Sequence, residues 1–275
     1  MARFRRWRMG PHEWSVPWGG KVFHNKSEGV SGQAVQRNIE DLRAALNYAD
    51  GERRIVAPKV PSVDKKHRQK KAKDVLTVAQ LGALFGYAKS DDESVWRELC
   101  LMLATGCRPG VALAFDPATQ WSDGLIDLHP DGRELTDKRN AVVPAIEPLG
   151  PILEAWKEAP HEIVKSRRTW WRTARRVLGL PSTVEAYLIR HTVTTHMDEQ
   201  GVPGAQMSGI VGHLPSSRGV SRTTSQHYLH YDPRKAARAK AVLTKFFKSV
   251  MAESEKWSAD HSLTIPERDK PKSLA

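Results

Sequence analysis

The residues of this 275-residue chain that could do chemistry together are cations, imidazoles and a tyrosine spread over its C-terminal half. Arg108 lies in "ATGCRPG", Arg190 and His191 in "YLIRH", His213 in "GIVGH" and Tyr228 in "TTSQHYLHYDP". A guanidinium is planar and permanently charged, so two of them can hold phosphate oxygens through paired hydrogen bonds. Each residue alone is weak evidence, because an arginine near a helix end is more often structural than catalytic. Two hypotheses stay open: ordinary surface chemistry, or convergence of these groups on one phosphate.

The composition of the chain favours a polyanionic partner. Lys and Arg number 43 against 31 Asp and Glu, which gives a formal charge of +12 and a sequence pI of about 9.8. Such an excess attracts nucleic acid above all. A merely soluble basic protein is the alternative at this level.

Cysteine usage and the N-terminal segment indicate the compartment. Cys100 and Cys107 are the only cysteines and lie in an apolar stretch, which fits neither a disulfide framework nor a metal-type cysteine pair. The basic start is followed by no apolar run of the signal-peptide kind, and no stretch reaches the length of a membrane span. We therefore expect a cytoplasmic, nucleoid-associated protein with no membrane partner.

Two regions precede the main globular part. Residues 1–56 open with thirty residues that show no helical or strand period, which indicates a flexible basic arm. Its "RFRRWR" could lie on a phosphate backbone or be a solvated tail. Ser31 then caps a predicted helix that stops at Gly51. Residues 57–76, with two prolines and a lysine-rich run, are predicted to be an extended basic linker.

The main predicted domain covers residues 77–257, and a flexible tail is expected over 258–275. Thr77 can cap a first helix, and "DDESVWRELCLMLATG" is typical of a buried helix. "GLIDLH" and "NAVVPA" are short strand candidates around a turn, and four helical stretches lead to a last helix in "PRKAARAKAVLTKFFKSVMAE". The predicted fold is mainly α with a small antiparallel β-sheet (α+β).

The order of these segments resembles the tyrosine recombinase family, the phage-type integrases. The resemblance runs from about Leu76 to about Phe247 through "ATGCRPG", "TDKRNAVVP", "YLIRHTVTTHMDEQGV", "GIVGH" and "TTSQHYLHYDP". It is specific, because three separated motifs agree in sequence order. Upstream, "AVQRNIEDLRAALNYA" and "PKVP" resemble the last helix and exit linker of the family's core-binding (SAM-like) domain. That domain is expected to be shortened here, since only about one and a half of its helices are visible.

The resemblance implies a reaction and the residues that carry it out. Tyr228 would attack a DNA phosphodiester and form a 3′-phosphotyrosyl link, which a DNA 5′-hydroxyl later reverses, so neither a metal nor a cofactor is implied. Arg108 and Arg190 would stabilise the charge of the pentacoordinate phosphorus. His213 would hydrogen-bond the phosphate or help to move a proton, and Lys138 would protonate the leaving 5′-oxygen.

Two positions depart from the family pattern, and a second tyrosine competes with Tyr228. Tyr187 stands where the first histidine of "H-x-x-R" is usual. A phenol can donate a hydrogen bond but titrates near ~10, so we keep Tyr187 as a site residue and expect weaker acid–base help. Val111 replaces an acid commonly found three residues after Arg108, which therefore needs another orienting partner. Tyr231 is a competing nucleophile, although Tyr228 fits the family's "Y-x-H" pattern better.

The predicted function is site-specific recombination or integration of double-stranded DNA. The family implies a homo-oligomer, a tetramer on paired sites, with accessory DNA-bending or directionality proteins as further candidate partners. Three alternatives differ in class: a catalytically impaired DNA-binding prophage remnant of the same fold, a type IB topoisomerase-like monomer that relaxes DNA, and a basic structural protein.

Other features allow a structural and a functional interpretation. His191 and His196 are five residues apart, which puts them on different helix faces and argues against a zinc pair. Trp170 and Trp171 could help a basic helix face to lie in a DNA groove, but core packing is the favoured interpretation. The last helix could pack in its own core or dock on a neighbouring protomer, and these hypotheses stay equal.

Overall fold

Two compact units make up the chain, and we call residues 1–72 the N-terminal unit and residues 73–275 the C-terminal unit. The computed structural model describes residues 1–68, 74–129, 140–159, 164–212 and 232–261. Some of the residues discussed above lie outside these ranges, namely Lys138, His213, Tyr228 and Tyr231.

In its described residues, the N-terminal unit contains two α-helices, a β-hairpin and a short 3-10 helix (Lys65–His67). The α-helices and strands are α1 (Ala2–Met9), β1 (His12–Trp18), β2 (Lys21–Ser27) and α2 (Gly32–Gly51). The predicted cap of α2 is confirmed, because the Ser31 hydroxyl accepts a hydrogen bond from the backbone N–H of Ala34 at 3.3 Å. A hydroxyl in this position satisfies one of the free N–H groups of the first helical turn.

An ordered helix and hairpin occupy the segment for which the sequence analysis predicts a flexible arm. Gly19 and Gly20 both have positive φ, 56° and 75°, as a two-residue hairpin turn requires. Phe4 and Met9 attach α1 to the unit by packing against its small core. The prediction of a flexible arm was wrong because it gave no weight to the paired glycines of "WGGK", which are a hairpin signal.

The core of the N-terminal unit is small and extends into the predicted linker. Val35 and Ile39 of α2 are fully buried and pack against Val60 and Val63. Arg43 also donates hydrogen bonds to the carbonyl oxygen of Val60. The first part of the predicted linker is therefore packed against α2.

Helices dominate the C-terminal unit. Its described helices are α3 (Val78–Asp91), α4 (Glu93–Thr105), α5 (Pro109–Leu113), α6 (Pro117–Gln120), α7 (Gly150–Lys157), α8 (Arg168–Val177), α9 (Ala186–Glu199), α10 (Gly204–Val211) and α11 (Ala237–His261). The predicted cap at Thr77 is confirmed and forms a reciprocal capping box with Gln80. Over the described residues, no helix combines the length and the apolar character that crossing a membrane requires.

Among the described residues of this unit, one small antiparallel sheet accompanies the helices. Its strands β3 (Trp121–Ser122), β4 (Leu125–Asp127) and β5 (Val142–Pro144) lie in this order, and Ile126 pairs with Val143 at a buried position. Both predicted strands are confirmed. The predicted fold class, mainly α with a small antiparallel sheet, is confirmed as well.

The core of the C-terminal unit forms around α4, whose residues from Leu99 to Thr105 are all buried. On one side α11 packs closely along α3, because α3 presents glycine there: a Cβ atom at Gly86 would lie 2.5 Å from the ring of Trp257. Trp171 of α8 is buried, and Trp170 packs against Tyr87 with ring centroids 5.9 Å apart. Core packing, the favoured interpretation, is therefore confirmed for Trp171, and the partly buried Trp170 packs against the same core.

Helix α11 contributes an apolar stripe to the same core. Val242, Phe246 and Val250 are buried within this chain. The ring of Phe246 also stacks on His196 of α9, with centroids 4.0 Å apart. Core packing thus accounts for the stripe, while docking of the helix on a neighbouring protomer stays a prediction.

Candidate active site

Arg190 is the most buried of the predicted site residues that the structure describes, with 5% of its surface exposed. Its Nη1 donates to the carbonyl oxygen of Gly106 at 2.7 Å, and its Nη2 donates to that of Val211 at 2.8 Å. Gly106 ends α4 and Val211 is the last residue of α10. The side chain of Arg190 therefore joins three helices and is held in a fixed orientation.

Two glycines shape the backbone around this arginine. Gly106 and Gly212 end α4 and α10 in the left-handed conformation, with φ of 62° and 68°, which glycine adopts without strain. In the sequence, Arg108 follows Gly106 by two positions and His213 follows Gly212 directly. Arg190 thus binds the helix ends from which both of these site segments depart.

Within the described residues, Arg108 donates a hydrogen bond to a side-chain amide. It is the N-cap residue of α5, is partly buried, and its Nη1 donates to Oδ1 of Asn140 at 3.4 Å. Val111, at the position where an acid was sought, is buried in the core. The Nδ2 atom of Asn140 is buried and has no hydrogen-bond partner in the described part of the chain. Asn140 is therefore one orienting partner of Arg108, of the kind that Val111 cannot supply.

The two arginines influence each other electrostatically. Burial lowers the pKa of Arg190, and the positive charge of Arg108 is the next largest cause of this lowering. A guanidinium keeps its proton even so. Two neighbouring cations repel each other, and an anion that contacts both relieves the repulsion. A phosphate group matches this requirement in charge and in hydrogen-bonding geometry.

Tyr187 lies one turn before Arg190 on α9, and their side chains share a hydrogen bond. This contact favours the charged guanidinium and so acts against the lowering of the Arg190 pKa. The phenol is 47% exposed and can be reached by a ligand. The structure thus brings together Arg108, Tyr187 and Arg190 from two distant parts of the sequence.

The remaining predicted site residues are Lys138, His213 and Tyr228, which lie outside the described residues, as does the rival Tyr231. Their proposed roles therefore stay predictions. In the sequence, Lys138 is two positions from Asn140.

Cys107, beside Arg108, is not a competing nucleophile. Burial raises the pKa of its thiol to about 11, although a hydrogen bond with Thr105 and the charge of Arg190 act in the opposite direction. Burial also raises the pKa of Cys100 well above its ordinary value. Thiols with such pKa values stay protonated near neutral pH and react poorly.

A cleft of about 470 Å³ opens beside Tyr187. Residues of α4, α5, α8 and α9 line it, and its cationic side chains include Lys165, Arg168 and Arg175. Glu98 and Glu185 also line the cleft, but four Lys and Arg side chains outnumber them, so the cleft extends the positive surroundings of the site toward α8. Within the described ranges, no three His, Cys, Asp or Glu side chains are grouped closely enough to hold a metal ion.

An arginine stripe lies on the outer face of α8. Arg168, Arg172 and Arg176 recur every fourth residue and are all exposed, while Trp171 and Ala174 on the opposite face are buried. Residues at this spacing share one side of a helix. The basic character of this segment is plain in the sequence, and the four-residue spacing of its arginines was the signal, overlooked above, that could have predicted the stripe.

Arg167 fixes the start of α8 to α4. Its guanidinium donates to Glu98 at 2.8 Å, to Asp92 at 3.3 Å and to Ser94 at 2.6 Å. The side chains of Arg167 and Glu98 are 16% and 11% exposed, so water screens their ion pair only weakly. The arginine stripe is consequently presented by a rigid helix.

Comparisons with known proteins agree with this architecture. No protein-family model matches the sequence, and no curated protein matches it either. Among solved structures, the chain is similar to the Tn1549 transposon integrase, solved in complex with circular intermediate DNA, with 16% sequence identity and a TM-score of 0.50. The match covers 78% of this chain and 80% of that chain. At this identity the likeness shows the fold, and it confirms the resemblance to integrases at that level.

Proposed function

We propose that this protein is a site-specific DNA recombinase or integrase that cleaves and rejoins DNA through a 3′-phosphotyrosyl intermediate. The observation that carries the proposal is the pairing of Arg108 with Arg190 in a chain whose fold is similar to that of an integrase. Fixed guanidinia that already repel each other are prepared to receive the charge of a phosphoryl-transfer transition state. Because they are held in place by Asn140, Gly106 and Val211, little reorganisation is needed when the phosphate binds.

In the proposed reaction, Tyr228 attacks the phosphorus of one DNA phosphodiester. The bond from its phenolic oxygen to phosphorus forms as the bond to the 5′-oxygen breaks. The phenolic proton leaves with the help of His213, and Lys138 gives a proton to the departing 5′-oxygen. A 5′-hydroxyl from another strand then reverses both steps. No net oxidation occurs, and the energy of the phosphodiester is retained in the protein–DNA link.

The arginine stripe of α8 supports double-stranded DNA as the substrate. Its exposed guanidinia are spaced along about two helical turns, and an α-helix fits the major groove of B-DNA. The hydrogen bonds of Arg167 hold this helix at a fixed position on α4, so the stripe has a set position relative to the core that carries the site. The proposed α8 contact positions the duplex while the paired arginines act on one phosphate.

We also propose roles for the parts of the chain, an oligomeric state and a cellular location. Residues 1–56 act as a shortened core-binding region, 57–76 as a linker, 77–257 as the catalytic domain and 258–275 as a tail. The active form is a homo-oligomer, a tetramer on paired DNA sites, in the cytoplasm. Accessory DNA-bending or directionality proteins and a prophage origin complete the proposal.

The decisive experiment uses suicide DNA duplexes, in which a nick near the cleavage point lets a short fragment diffuse away and traps the covalent adduct. We expect the protein to form an adduct that resists denaturant, Tyr228→Phe to form none, and Tyr231→Phe to behave as the unmodified protein. An adduct that persists in Tyr228→Phe but is lost in Tyr231→Phe would reassign the nucleophile.

Tyr187 favours one alternative, a DNA-binding protein of the same fold with impaired catalysis. A half-exposed phenol that is hydrogen-bonded to Arg190 is a poorer proton shuttle than the imidazole usual in the family. Tyr187→His separates the two proposals in the same assay. If the unmodified protein binds duplex but forms adduct only after this substitution, the protein acts by binding alone.

A further inference from the structure

The hairpin of the N-terminal unit has two chemically different faces. Cross-strand partners lie on the same face of an antiparallel pair. One face is polar: Lys26 forms an ion pair with Glu13 at 2.7 Å, and Ser15 is hydrogen-bonded to His24 at 2.8 Å. The other face, which we call the aromatic face, carries Trp14, Val16, Trp18 and Phe23.

The aromatic face is open to solvent. The exposed fractions are 39% for Trp14, 42% for Val16, 51% for Phe23 and 77% for Trp18. In an antiparallel pair the polar face is normally the solvated one and the apolar face is covered. A row of exposed aromatic side chains on the face opposite the polar one therefore indicates a surface that receives a ligand.

Helix α1 extends the aromatic face. Trp7 of α1 is 46% exposed and contacts His12 in a tilted arrangement, with ring centroids 4.2 Å apart. His12 in turn stacks on Trp14, with centroids 5.3 Å apart. Arg3 and Arg6 precede Trp7 by four residues and one residue, and both are exposed. A continuous row of rings thus runs from an arginine-bearing helix along the hairpin.

The charges around the aromatic face select its ligand. In the N-terminal unit, 16 Lys and Arg stand against seven Asp and Glu. Lys21, opposite Trp18 in the hairpin, is also exposed and on the same face. Cations beside flat rings match a ligand that combines phosphates with π-faces, which is a nucleic acid strand.

We propose that the aromatic face and the exposed arginines of α1 bind unpaired bases of DNA. In a duplex each base is covered by its neighbours, so only an unpaired base offers a face on which Trp18 or Phe23 can stack. Arg3, Arg6 and Lys21 then contact the phosphates of the same strand. The biological role of this binding rests on the proposed function, because DNA strands must separate between cleavage and rejoining. The binding of unpaired bases itself does not require catalysis.

The test compares the affinity of the full chain, carrying Tyr228→Phe to prevent cleavage, for two labelled DNAs. One is a fully paired duplex, and the other has the same ends with a central run of unpaired thymines. We expect the bubble DNA to bind about tenfold more tightly in fluorescence anisotropy, as one or two stacked bases would give. The double substitution Trp18→Ala/Phe23→Ala should remove this preference and leave duplex affinity within about twofold.

Two control variants make the result specific. Val22→Ala shortens an exposed apolar side chain on the polar face of the same hairpin and should keep the preference for the bubble. Trp18→Tyr/Phe23→Tyr keeps two flat rings and should also keep it, even if the alanine variant folds poorly. The proposal is overturned if the unmodified surface shows no preference, or if the alanine variant is folded and keeps the preference.

A membrane surface is the competing ligand for a Trp- and Arg-rich segment. Vesicles of phosphatidylglycerol and phosphatidylcholine, mixed with the same protein and sedimented, test this directly. Binding to vesicles without any preference for the bubble DNA would replace our proposal with a lipid surface. Failure to form a covalent adduct, by contrast, would count against the proposed recombinase and not against base stacking.

Discussion

In the N-terminal unit, 16 Lys and Arg are opposed by seven Asp and Glu, whereas the C-terminal unit has 27 against 24. About a quarter of the chain therefore carries +9 of the formal +12. The apolar residues differ in the same sense. The N-terminal unit exposes Trp7, Trp14 and Trp18, while the C-terminal unit buries most of its large side chains in one core.

The difference shows two uses of positive charge. Several cations of the C-terminal unit are held in place by direct contacts. Arg190 donates hydrogen bonds to two carbonyl oxygens, and Arg167 forms ion pairs with two carboxylates. Such groups act on one neighbouring atom and need correct geometry. The exposed excess in the N-terminal unit acts at a distance and is screened by salt. Changes in the two units should consequently affect different measurements.

The largest effect is expected from Arg190→Lys. Lysine offers one point charge and cannot hold two carbonyl oxygens and a phosphate together. We expect covalent adduct formation to slow by about 10³-fold, comparable to the loss of an oxyanion-hole donor. Single-turnover assays at saturating suicide duplex measure this rate, and duplex affinity should change less than twofold. If the rate and the duplex affinity fell by similar factors, Arg190 would contribute to DNA binding as well as to catalysis. That result would contradict the assignment of different roles to the cations of the two units.

Arg167→Ala should have the largest effect on stability. It removes the ion pair of Arg167 with the largely buried Glu98, which costs about 3 kcal/mol of unfolding free energy. Chemical denaturation of the full chain, followed in the C-terminal unit, gives the value. Lys248→Ala is the matched control, because its pair with Glu147 is exposed and should contribute below about 0.5 kcal/mol. Equal losses in the two variants would show that α8 is not anchored by Arg167.

Asn140→Ala should slow adduct formation by about tenfold, because Arg108 then lacks the carbonyl oxygen that orients it. Asn140→Asp keeps an oxygen at that place and is expected to retain most of the rate. The two substitutions remove or keep the same acceptor, so the ratio of their rates reports orientation of Arg108. Similar rates for the two variants would show that the side-chain oxygen at position 140 does not orient Arg108 for the reaction.

Arg3→Ala/Arg6→Ala tests the N-terminal unit alone. We expect severalfold weaker duplex binding, and a plot of log affinity against log salt that is shallower by about 2. The rate of adduct formation at saturating DNA should stay unchanged. Lys248→Ala/Lys256→Ala, which removes two exposed and already paired cations of the C-terminal unit, should leave the slope almost unaltered.

The features that could be predicted from the sequence are mainly those formed by residues close together in the chain. Capping at Ser31 and Thr77 is local, and both predictions were confirmed. The proximity of Arg108 and Arg190 followed only from the resemblance to a family, because no local pattern links positions so far apart. Asn140 was missed for the same reason, since an amide before a strand has no signature of its own. The hairpin was overlooked although its turn signal is local.

The smallest predicted effect concerns His196, which stacks on Phe246 between α9 and α11. Burial lowers the pKa of His196, Lys245 lowers it further, and Glu199 acts in the opposite direction. The unfolded chain therefore binds a proton more readily than the folded one, and stability must fall as the pH drops through about 6.5. We expect His196→Phe to reduce the loss of melting temperature between pH 7.5 and pH 5.5 by about 2 °C or less, in a scanning calorimeter. A loss that is as large in His196→Phe as in the unmodified chain would assign the pH dependence to other groups.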